Sequence, residues 1–97
     1  MEVKGFRMLE AAIDFAHRAA DLKLRSASRR KQLVRASEST ALLLAEGEGR
    51  ETWPDKQHYF TSARALHREA QAALQIGRVQ DSKVLNLAID IGEQTAV

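Results

Sequence analysis

A chain of 97 residues has room for one domain, residues 1–97, built around a single core. It contains no cysteine, which excludes disulfides and thiolate metal sites and fits a cytoplasmic protein. The net charge is only +2, so the total by itself points to no polyanionic partner; plentiful alanine, leucine, arginine and glutamate favour helix over sheet.

Phe6, Leu9, Ile13, Ala16 and Ala20 step by three and four, the apolar stripe of a first helix, and Met8, Phe15 and Leu22 widen it into a face suited to a bundle. The pattern blurs at residues 23–28, where two serines and a basic cluster suggest a connection. A second stripe follows through Leu33, Ala36, Thr40, Leu43 and Gly47, flanked by Ala41 and Leu44, with Ser28 as its expected N-cap.

That helix should end at Gly47–Glu48–Gly49–Arg50. The two glycines can adopt positive φ cheaply and turn the chain. A phosphate cradle does not fit: a P-loop follows a strand and carries a lysine after its glycines, whereas here a helix precedes them and two acids sit among them. Glu46 follows four apolar residues, so its carboxylate is expected near the interior and in need of a partner. Arg50 is the nearest in sequence; Arg35 or an arginine of the third helix would also serve.

Thr52 and Asp55 have capping-box spacing, and Pro54 falls in a first turn, where no helical donor is lost. The third helix then runs through Tyr59, Ala63, Leu66, Ala70, Ala73 and Gly77, with Phe60 and Leu74 beside the stripe. Asp81 or Ser82 caps a short fourth helix with Val84, Leu87, Ala88 and Ile91 as its apolar positions. The expected fold is all-α, an antiparallel up-down four-helix bundle with short loops and a short fourth helix. Its many alanines contribute little apolar area each, which makes self-association attractive.

Nothing at the N-terminus reads as a secretory signal, and the longest apolar run, Ala41 to Ala45, is far below the roughly 20 residues a membrane helix needs. His17, His58 and His67 share no ligand spacing and are expected at polar or half-buried positions, so no metal or other cofactor is implied. No serine, histidine and acid stand in a recognisable catalytic pattern, and the chain reads as non-enzymatic. Trp53 and Tyr59 could stack on bases, but aromatics at a helix entrance more often pack against the loop or a neighbouring subunit.

The charge is segregated. Lys23, Arg25, Arg29, Arg30, Lys31 and Arg35 fall within residues 23–35 with no acid, a local +6. Glu38, Glu46, Glu48, Glu51 and Asp55 oppose only Arg50 in residues 36–55, a local −4. The basic segment is the expected nucleic-acid contact, salt-sensitive and indifferent to sequence, with Arg64 and Arg68 of the third helix as further candidates. The alternative is a structural or protein-interaction oligomer, in which that segment pairs with the acids of a neighbouring chain.

"QLVRASESTALLLAEGEGR", residues 32–50, resembles the signature of the bacterial four-helix bundle proteins encoded within intervening sequences of large-subunit ribosomal RNA genes. Gln32, Leu33, Arg35, Ala36, Ser39, Ala45, Glu46, Gly47, Gly49 and Arg50 fit that pattern, and Glu69 fits a looser segment downstream. Leu43 and Ala41 stand where the family usually has asparagine and proline. The resemblance is best over residues 30–77. It implies ring-shaped homopentamers of up-down bundles without known catalytic activity. A related branch, the accessory variability determinants of diversity-generating retroelements, is basic and binds nucleic acid beside a reverse transcriptase.

Overall fold

The computed structural model describes residues 3–96, with side chains from residue 7 onward, so the place expected for Phe6 in the core lies outside the described residues. Four helices follow one another: α1 (Val3–Asp21), α2 (Ala27–Glu48), α3 (Trp53–Ile76) and α4 (Ser82–Thr95). Each packs on its two neighbours in the order α1–α2–α3–α4–α1, with no diagonal contact among the described residues. This is the up-down bundle, and α4 is its shortest member.

The helices begin where side chains satisfy the unpaired amides of a first turn. Ser26, not Ser28, caps α2: its Oγ accepts from Arg29 N at 3.2 Å. The α1–α2 connection is therefore residues 22–26, shorter than the basic, serine-rich composition suggests. Leu24 is half-buried against the core and ties this loop down. Thr52 Oγ1 accepts from Asp55 N at 3.4 Å, with Pro54 in the first turn of α3, and Asp81 Oδ1 accepts from Lys83 N and Val84 N, each at 3.1 Å.

The glycines end helices differently from the expectation. No described glycine has positive φ; Gly49 closes α2 at φ −79° and Gly77 closes α3 at φ −76°. The left-handed residue is Arg78, at φ 53°. It sits in a Schellman closure, in which Val79 N donates to Leu74 O at 3.0 Å and Arg78 N to Gln75 O at 3.1 Å, with Leu74 and Val79 both joined to the core. A β-carbon in that conformation costs on the order of 1 kcal/mol. Arg78→Gly is therefore expected to stabilise the fold by about 0.5–1 kcal/mol, read as a raised urea midpoint at unchanged m-value; a lowered midpoint would contradict the left-handed assignment.

Gly47 has another purpose. It is buried inside α2, and a β-carbon there would lie 2.6 Å from Phe60 Cε1 and 3.1 Å from Tyr59 Cβ. Only hydrogen lets α2 and α3 approach this closely.

On α1 the buried face is Met8, Ala12, Phe15 and Ala19, turned away from the expected stripe. Ile13 is 42% exposed and Ala20 is exposed. The bulk of Phe15 and Met8 draws their side of the helix inward, and Ala12 and Ala19 let neighbouring backbones come near. On α3 the buried line is Ala63, His67, Ala70, Ala73 and Leu74, with Tyr59 and Leu66 only half-buried. In α2, Leu33, Ala36, Thr40, Ala41, Leu44 and Gly47 are buried as expected, and Leu43 is half-buried. Val84, Ala88 and Ile91 of α4 are also buried, with Leu87 at the margin. Ser37 and Thr40 are buried too, their hydroxyls donating to Val34 O and Ala36 O within their own helix.

His67 overturns the expectation of a polar or half-buried histidine: it is 1% exposed. Its ring stands edge-on to Phe15, centroids 5.4 Å apart, and Nε2 lies 2.7 Å from Ala88 O. A carbonyl only accepts, so Nε2 carries the proton, and Nδ1 is left buried without a partner. Gln71 Nε2 donates to the same carbonyl at 3.2 Å. These two bonds tie α3 to α4.

Candidate nucleic-acid interface

In an up-down bundle the α1–α2 and α3–α4 connections lie at the same end. The packing agrees: a β-carbon on Gly77 would meet Leu24 Cδ2 at 3.3 Å and Arg29 Cδ at 3.6 Å. Lys23 and Arg25 come from the first connection, and Arg29, Arg30 and Lys31 from the opening turns of α2. Arg78 and Lys83 join them from the second connection and the start of α4. Seven cations thus crowd one end, with Asp21 and Asp81 as the acids of the same two segments, a net +5. All seven are exposed except Arg29, which is half-buried along Gly77. None makes an ion pair among the described residues, where the pairs are Arg18–Asp14 and Arg50–Glu46.

Arg78 and Lys83 were not singled out by the sequence. They lie some fifty residues from the basic run, and only the antiparallel topology brings them to it. Arg35 is exposed about one turn beyond Lys31, roughly 12 Å from the start of α2. By helical rise Arg68 and Arg64 lie roughly 12 and 18 Å from the end of α3, so Arg68 is as far along the bundle as Arg35 and Arg64 is further off. Arg68 is exposed and Arg64 half-buried. The cationic end therefore gathers five of the eight expected cations tightly, has Arg35 and Arg68 at its margin and leaves Arg64 further along the side.

The opposite end is closed by polar contacts. Glu46 is exposed, not interior, because its position on α2 turns outward beside Leu42 and Ala45, which are exposed too. Its partner is Arg50: Nη2 donates to Glu46 Oε2 at 2.9 Å and to Tyr59 Oη at 2.7 Å, and the guanidinium sits 4.7 Å from the Tyr59 ring centroid. Lys56 Nζ donates to Glu48 O at 3.1 Å and to Gly47 O at 3.4 Å, the latter also accepting from Arg50 N at 3.2 Å, so the last carbonyls of α2 are capped. An exposed pair of this kind contributes little on its own, about 0–1 kcal/mol. Glu46, Gly47, Gly49 and Arg50 thus form a helix ending. Trp53 is 58% exposed and meets Phe60 edge-on, with centroids 6.4 Å apart.

Among the described residues no group of three or more histidines or acids could hold a metal ion. No described helix is long and apolar enough to cross a membrane. No protein-family model, no curated protein and no solved structure matches the chain.

Proposed function

We propose that this protein is a non-enzymatic helical bundle that binds RNA or DNA through its cationic end, independently of sequence. The observation that carries the reading is the convergence of two separate connections into one unpaired cluster of seven cations. Such a cluster displaces the counterions condensed on a phosphate backbone, and its binding weakens steeply with salt. Self-association would repeat the cluster and add avidity. Leu42, 68% exposed on the outer side of α2, supports an association between copies, as does the resemblance of residues 32–50 to a family of ring-forming bundles.

Fluorescence polarisation of a labelled RNA across a salt series tests this. The expected slope of log affinity against log salt is roughly −3 to −5, for four to six phosphate contacts. Arg29→Glu combined with Arg30→Glu should weaken binding at least about tenfold and flatten the slope by about 2. Salt-independent binding, or a double variant that binds like the parent, would refute the reading. Should the charge reversals change the particle mass in light scattering instead, the basic segment serves contacts between chains.

A further inference from the structure

Beside the cationic end, α2 and α3 leave an open groove of about 350 Å³ between their outer faces. It starts at Arg29 and Ile76, among the cations, and runs along the helices to Arg35 and Leu66. Its floor is alanine: Ala36 and Ala73 are buried beneath it, and Ala72 forms an exposed rim. Leu66 and Ile76 wall it, and Ile76 leaves 61% of its surface to solvent. Gln32 and Glu69 supply its polar edge, and neither side chain has a hydrogen-bond partner among the described residues.

Resting on the cationic-end reading, we infer that this groove takes one unstacked nucleobase. The protein would then favour single strands over duplex, and bases with an exocyclic amino group over thymine or uracil. The chemistry of the lining selects this occupant. A smooth apolar floor between two aliphatic walls suits the flat face of a base. Arg29 and Arg35, on the α2 side, lie where the phosphates flanking that base would pass. Glu69 is an acceptor only, so it suits the amino group of cytosine. The single N3–H of thymine or uracil is flanked by two carbonyl oxygens that would face the carboxylate, and Gln32 can meet a neighbouring carbonyl. A duplex keeps its bases paired and stacked, so none of them can enter the groove. An acidic partner helix would suit the arginines but would set its carboxylates against Glu69.

The test compares labelled oligo(dC), oligo(dT) and a duplex of equal length at one salt concentration. Oligo(dC) is expected to bind at least about fivefold tighter than either. Ala72→Trp fills the groove from an exposed position and should erase that preference while duplex affinity stays within about twofold. Glu69→Leu should bring the oligo(dC) to oligo(dT) ratio close to one, although loss of a negative charge raises affinity for every probe. Circular dichroism checks that both variants are folded. Equal binding of all three probes by the parent protein overturns the base site and leaves the cationic-end reading standing. So does an unchanged ratio in either folded variant, or a change of particle mass in Ala72→Trp without a change of ratio. If no probe binds in a salt-sensitive way, both inferences fall together.

Discussion

Phe15→Ala is expected to cost about 3–5 kcal/mol and to lower the thermal midpoint by roughly 15–30 °C. Phe15 is 1% exposed, and eight of the fifteen buried apolar residues described are alanines. Each alanine removes little area from water, so the few large side chains, Phe15, Leu33, Leu44, Leu74 and Ile91, carry a disproportionate share of the burial. Truncating Phe15 also takes away the edge that the His67 ring packs against. Because small domains hold only about 5–15 kcal/mol in total, a loss of this size would leave little margin. Ile13→Ala makes the companion measurement. Ile13 is 42% exposed, and its truncation should cost well under half as much. Comparable losses from the two substitutions would mean that α1 presents the stripe drawn from sequence periodicity, not the face seen in the fold.

Acidification should destabilise the bundle through His67. Burial holds its imidazole below the ordinary value of 6.5, and the hydrogen bond to Ala88 O opposes that only in part. The neutral ring already donates from Nε2, so protonation would place a second N–H at Nδ1, where no acceptor exists. In the unfolded chain His67 takes up its proton as pH falls through about 6.5. In the folded chain it does so only at a lower pH. Between the two values the unfolded state holds more protons, so stability rises with pH; the contribution is complete above 6.5 and shrinks as pH falls toward the folded value. The slope from this one group is at most about 1.4 kcal/mol per pH unit. His67→Gln keeps a donor for Ala88 O and removes the titration. Urea unfolding of both proteins between pH 7.5 and about 4.5 isolates the term, because the carboxylates are common to both. The gap between the two stability curves should change in the acidic range; parallel curves would show that His67 titrates alike in both states.

Local chemistry was enough for the four helices, the Thr52 cap, the proline entry to α3 and the short α4, and it narrowed the α4 cap to Asp81 or Ser82, because each depends on residues within a turn or two. The basic run 23–35 was equally plain, since charge survives any folding. What failed were the start of α2, capped by Ser26 and not Ser28, the positive φ expected of the glycines, and rotation about a helix axis. On α1 two overlapping apolar stripes compete, and on α3 a histidine at the spacing of Ala63 and Ala70 reads as polar. In both cases the face that wins is decided by what the neighbouring helix offers: an edge of Phe15, a carbonyl of Ala88.

The same division holds for the candidate site. An all-helical chain and one dense block of positive charge are legible in the residues alone, because propensity, capping and charge are properties of short segments. Packing of the helices sets Arg78 and Lys83 beside that block, leaves Arg64 away from it, and turns Glu46 to water. It alone opened the α2–α3 groove beside the cations. The reason is distance: these relations join residues up to sixty positions apart, and they exist only once antiparallel packing has set which ends and which faces meet.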